Sequence, residues 1–139
     1  MVSQRGESFG ANSDDWPLVV ITGPRVPDKF FTGRLMEQMG AVLDRNERFC
    51  ILADMTDAVR FELAEIRSLA GFAKENGDRI DQQVAALGFA VPSAMVRGAI
   101  KVLFTFRSPG HPYLVARTRE AALAYLDPHL VALRPSQTG

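Results

Sequence analysis

An α/β fold built on a mostly parallel sheet is what this sequence predicts, and three observations carry it. Apolar runs of strand length recur at residues 16–22, 49–55 and 84–91, with a shorter one at 113–116. Between them, apolar residues repeat at helical spacing. The run Phe49-Cys50-Ile51-Leu52-Ala53-Asp54-Met55 is apolar throughout except at Asp54, the mark of a strand covered on both faces. The order is strand, helix, strand, helix, strand, helix, strand, helix. Such alternation predicts a single-layer, mostly parallel sheet of four to five strands with about four helices, joined by right-handed crossovers.

Each element has its local reason. Residues 1–15 are polar and glycine-bearing, and they predict a flexible segment or, at most, an edge strand around residues 8–11. Trp16-Pro17-Leu18-Val19-Val20-Ile21-Thr22 is rich in β-branched residues and stops at Gly23-Pro24. Pro27-Asp28 opens a helix over 27–45, whose apolar stripe is Phe30, Phe31, Leu35, Met36, Met39, Val42 and Leu43. After the central strand, Thr56-Asp57 makes a turn, and Leu63, Ile66, Ala70 and Ala73 line a helix from about 59 to 74. Glu75-Asn76-Gly77-Asp78 stops it, leaving 79–83 as loop or short continuation. Ser93 caps a helix over 94–107. Thr118 caps the last, which Asp127-Pro128 weakens or ends. The domain is expected over 16–133, with 134–139 a disordered tail.

Length and composition bound the function. One domain of 139 residues, 47% apolar and 23% charged, can bury a core without metal or disulfide. Sixteen basic residues balance sixteen acidic ones, so no global field recruits nucleic acid or an anionic membrane. No run has the length of a membrane-spanning helix, and residues 1–15 lack the apolar core of a signal peptide, so stable membrane insertion is not expected. Cys50, the single cysteine, lies in the central run and reads as a buried, inert thiol, which fits a cytoplasmic location. Phosphate-loop, dinucleotide, zinc-helix and nucleophile-elbow patterns are missing, and two histidines with one cysteine do not make a metal cluster. Neither a cofactor nor a metal is expected.

Polar candidates gather after the central strand. Asp54, Thr56, Asp57 and Arg60 sit at its carboxyl end, where open sheets place their sites, although Asp and Thr there also serve ordinary turn chemistry. Ser93 and Arg97 are the corresponding pair after the next strand. His111, between Gly110 and Pro112, reads as a solvated loop residue. An enzyme would need an acid-base pair assembled from Asp54, Asp57 and His111. The helix over 94–107 carries two apolar lines, Val96-Ile100-Leu103-Phe104 and Met95-Ala99-Val102-Phe106, more than one sheet face uses. The second line predicts a homodimer interface, a site for a small apolar or lipid ligand, or a core covered by the N-terminal segment.

The ordered series of these motifs resembles the SpoIIAA-like family of STAS-type domains, relatives of bacterial anti-sigma-factor antagonists. The likeness spans about residues 16–130. It rests on Ile51-Leu52-Ala53-Asp54-Met55-Thr56-Asp57, on the strand before Ser93 with Arg97-Gly98 after it, and on Thr118-Arg119-Glu120-Ala121-Ala122-Leu123-Ala124-Tyr125-Leu126. The resemblance implies a small regulatory or protein-binding domain that catalyses nothing, with a partner docking near the Thr56–Arg60 turn or on the helix after Ser93. Glu62 and Leu63 stand where true antagonists carry an Asp-Ser pair, so the phosphorylatable serine is missing. The leading expectation is a self-associating regulatory module; the alternative is a carrier of a small apolar or lipid-like ligand.

Overall fold

The computed structural model describes residues 9–106 and 108–134, with the side chain of Phe106 outside that description. Five strands form one sheet in chain order: β1 (Gly10–Asp15), β2 (Leu18–Thr22), β3 (Phe49–Asp54), β4 (Val84–Ala90) and β5 (Tyr113–Ala116). β1 is antiparallel to β2, and every later pair is parallel. Five helices are described: α1 (Lys29–Leu43), α2 (Leu63–Glu75), α3 (Gly77–Gln83), α4 (Ala94–Phe106) and α5 (Arg119–Leu133).

Side-chain alternation sorts the core into two layers. Val19, Ile51 and Leu87 are in register on one face, with Ile21, Ala53 and Phe89 one step along. That face packs against α1, α2 and α4. Leu52 and Gly88 share the other face with Cys50, Ala86 and Ala90, and α5 lies across it through Ala122, Leu126 and Leu130. The Cys50 thiol is fully buried there, and burial pushes its pKa up to about 11, as for an inert core thiol.

Several boundaries differ from the sequence reading, each for a local reason. The edge strand runs over Gly10–Asp15 rather than residues 8–11, because Gly10 pairs with Thr22 and Asp15 with Leu18. The loop after β3 is longer than expected, and α2 starts at Leu63. Residues 77–83 form a helix of their own, α3, held to the end of α1 by Gln83 Nε2 donating to Leu43 O (3.0 Å) and Arg79 to Asp44 (2.7 Å). Pro128 does not end α5, which continues to Leu133 with Leu130 buried against the sheet. Arg134 serves as its C-cap; the rest of the expected tail, 135–139, lies outside the described residues. Ser93 and Thr118 do cap, accepting from the N–H groups of Val96 and Ala121, while Asp28, expected inside the first turn, is the cap of α1 and accepts from Phe31 N–H.

Candidate functional site

The sheet has two polar ends, and they are built differently. At the carboxyl end of β3, alternation turns Asp54 toward the α5 face. Its Oδ1 accepts from both the N–H and the hydroxyl of Thr56, and its Oδ2 accepts from Arg119 Nη1 at 2.8 Å. Burial raises the Asp54 carboxyl, but the Thr56 hydroxyl and N–H and the Arg119 guanidinium outweigh it and hold its pKa below the ordinary value. Both carboxylate oxygens are engaged within the fold. Turn chemistry and a tertiary ion pair account for this cluster.

The remaining candidates do not converge on it. Asp57 is exposed, and Arg60 reaches Glu62 at 3.4 Å on the surface. Arg97 folds back, its Nη1 donating to Val91 O and Pro92 O at 2.9 Å each, and so fastens the loop after β4. Ser93 is occupied as a cap. On α4, Met95 is 67% exposed and Val102 41%, while Ala99 is half-buried; Phe106's side chain lies outside the described residues. The N-terminal edge strand does not cover that face, since β1 is at the opposite edge of the sheet from β5 and packs on α1.

Between the sheet and the three-helix layer lies a cleft of about 220 Å³. Its floor is the face carrying Ile21, Ile51, Ala53, Leu87 and Phe89. Leu35 and Met39 of α1, Leu69 and Phe72 of α2, and Leu103 and Phe104 of α4 supply the roof. Phe104 packs edge-to-face on Phe89 (centroids 5.8 Å) and on Tyr113 (4.8 Å), which fixes the wall beneath β5. Leu69, Phe72, Leu103 and Phe104 are only half-buried, so solvent reaches the lining. Among the described lining residues, Asp81 and His111 are the ones with polar side chains.

That pair corrects the reading of His111 as a solvated loop residue. Its side chain is 6% exposed, and Nδ1 lies 3.6 Å from Asp81 Oδ1. The cause is the turn at 108–112, which lays His111 back against α3. The Gly110 N–H donates to Asp81 Oδ1 at 3.2 Å, and Pro112 O accepts from Leu87 N at 3.0 Å. His111 and Asp81 therefore sit at the amino ends of β5 and β4, away from Asp54 at the carboxyl end of β3. The acid-base set of Asp54, Asp57 and His111 is not assembled.

Sequence reasoning missed two participants. Arg119 had a usable signal: a cation in the first turn of a helix opposes the helix dipole, so a carboxylate partner is called for. Asp81 had none, because its partner is in a turn 29 residues away. Among the described residues no group of three His, Cys, Asp or Glu side chains is placed to hold a metal, and no helix is long and apolar enough to cross a membrane. No protein-family model matches the sequence, and no curated protein is similar enough to match it.

Proposed function

We propose that this is a non-enzymatic, STAS-like binding module whose ligand is a small apolar molecule held between the sheet and the three-helix layer. The observation that carries this reading is the cleft of about 220 Å³, walled by aliphatic and aromatic side chains. Apolar cavities near 150 Å³ accept benzene, so this one has room for a ring with a short chain, or a short aliphatic chain. Burial of the ligand's apolar surface supplies the affinity, and partial exposure of Phe72 and Phe104 gives it a way in.

The test fills the cleft. Ala70, buried on α2 and part of the lining, is replaced by phenylalanine. Organic extracts of wild-type protein purified from cells are expected to contain a small apolar molecule that Ala70→Phe, with an unchanged circular dichroism spectrum, lacks. Wild-type extracts that match a blank, together with no saturable binding of alkylbenzenes, would sink the reading.

Self-association with a regulatory protein partner is the second reading, favoured by the exposure of Met95 and Val102 on α4. Light scattering across a dilution series checks it. A dimer that Met95→Glu with Val102→Glu dissociates supports it; a monomer at every concentration rejects self-association.

A further inference from the structure

We propose that the cleft takes an aromatic hydrocarbon, a benzene ring with a short alkyl chain and no hydrogen-bonding group, in preference to an aliphatic ring of the same shape. This inference rests on the cleft being a ligand site, and it names the class of ligand that site takes.

The first observation is what the lining withholds. The surface it turns to a ligand is almost wholly apolar. Asp81 and His111 border the cleft, but their polar groups serve the fold. Asp81 Oδ1 accepts from the Gly110 N–H at 3.2 Å and lies 3.6 Å from His111 Nδ1, and both imidazole nitrogens are inaccessible. A hydroxyl or a carboxylate carried into the cleft would give up its water and find no partner there, which is costly. A hydrocarbon gives up nothing of that kind.

The second observation is which apolar side chains the fold gathers. Five of the chain's nine phenylalanines and three of its five methionines line this one cleft. Any hydrocarbon gains from leaving water, but a ring gains further from its π-system. Aromatic rings favour offset or edge-to-face contact, the geometry Phe104 already adopts on Phe89 at 5.8 Å. Thioether sulfur packs favourably at a ring edge, and the unbranched methionine chain adjusts to what it meets. Phe61, Phe72 and Phe104 are half-buried, and Met39 and Met55 are buried against the same space. Cavities of roughly 150 Å³ accept benzene, so about 220 Å³ leaves room for a short chain beside the ring.

Three probes of matched shape test this: propylbenzene, propylcyclohexane and 4-propylphenol. The two hydrocarbons are measured by their depletion from the headspace above the protein, and the phenol by calorimetric titration. Once each hydrocarbon affinity is divided by that probe's partition from water into hexane, propylbenzene is expected to bind about tenfold more tightly than propylcyclohexane, the scale of one or two ring contacts. Compared directly, 4-propylphenol is expected to bind about tenfold more weakly than propylbenzene, or weaker still. Phe61→Leu with Phe72→Leu keeps the lining apolar; there the aromatic preference is expected to fall about threefold or more, while propylcyclohexane affinity stays within about twofold. In wild type, propylbenzene is expected to shift the methyl resonances of Met39 and Met55. Equal corrected affinities for the two hydrocarbons, a phenol that binds as tightly as propylbenzene, or a preference unchanged in the double variant would each overturn the ligand class while leaving the cleft as a site. If neither hydrocarbon binds, or if propylbenzene leaves both methionine methyls unshifted, the cleft reading itself fails.

Discussion

The two faces of this sheet are packed to different tightness, although the same four strands, β2 to β5, supply both. On one face small residues, Cys50, Ala86, Gly88 and Ala90, let a single helix come down onto the sheet. A Cβ on Gly88 would already be 3.2 Å from Ala122 O and from Leu126 Cδ1, so α5 is seated against the strand backbone. On the other face the strand residues are larger, Val19, Ile51, Leu87 and Phe89, yet a cleft of about 220 Å³ survives. Half-buried apolar surface remains between the sheet and the three helices on this side. Close packing gives a unique arrangement, and the loosely filled side is where a ligand has room. The lesson is that residue size on a face does not by itself report how well that face is filled.

The contrast is sharpest in truncations. Leu126 on α5 is fully buried, and Leu126→Ala is expected to cost about 3 kcal/mol, the scale of a buried leucine lost from a site that cannot collapse. Phe72 on α2 borders the cleft and is half-buried; Phe72→Ala is expected to cost about 1 kcal/mol, since much of its surface is already open. Urea denaturation of both variants checks the order. Equal costs, or a larger one at Phe72, would mean that the cleft face is as tightly packed as the other.

A second pair uses glycines. Gly88→Ala is expected to destabilise by about 1 kcal/mol, because the new methyl must displace helix backbone and a buried leucine. Gly71, on the outer side of α2, has nothing within 4 Å of a built Cβ, and Gly71→Ala is expected to stabilise by about 0.5–1 kcal/mol through helix propensity. Opposite shifts in thermal midpoint are the expected result. A neutral or stabilising Gly88→Ala breaks the claim that α5 sits at closest approach.

How much of this was legible in the sequence follows from how local each cause is. Strand and helix types came through because periodicity is written within a few residues: the run from Phe49 to Asp54 and the stripe Leu35-Met39-Val42 are read without knowing any partner. The caps Ser93 and Thr118 are equally local. Which face α5 would take was not legible locally, since it depends on packing by Leu126 and Leu130, and Pro128 misled because a local rule yielded to burial. Asp54, Thr56 and Asp57 have the right residue types at a favoured position, but Arg119, 65 residues on, consumes the carboxylate. His111 looked solvated because nothing near it in sequence announces α3 beneath it. Contacts between distant segments decide both cases.

The smallest expected effect probes the closed carboxyl end, the foil to the cleft. Arg119 is about half exposed, so Arg119→Ala is expected to cost below about 1 kcal/mol at neutral pH. Its pH dependence carries the information. Asp54 is held below its ordinary pKa in the folded state, with burial opposing and Thr56 and Arg119 outweighing it. A depressed folded-state pKa adds stability that is fully present above the unfolded value, about 3.9 for aspartate, and is lost as pH falls through the folded value. The gap between wild type and Arg119→Ala should therefore be constant from about pH 7 to pH 5 and narrow below about pH 4. Urea midpoints for the two proteins across that range are the measurement. A gap that widened on acidification would mean that the guanidinium acts on some group other than Asp54. A gap independent of pH would mean that Thr56 alone holds the carboxylate, leaving Arg119 with spare capacity for an anion and reopening the carboxyl end as a site.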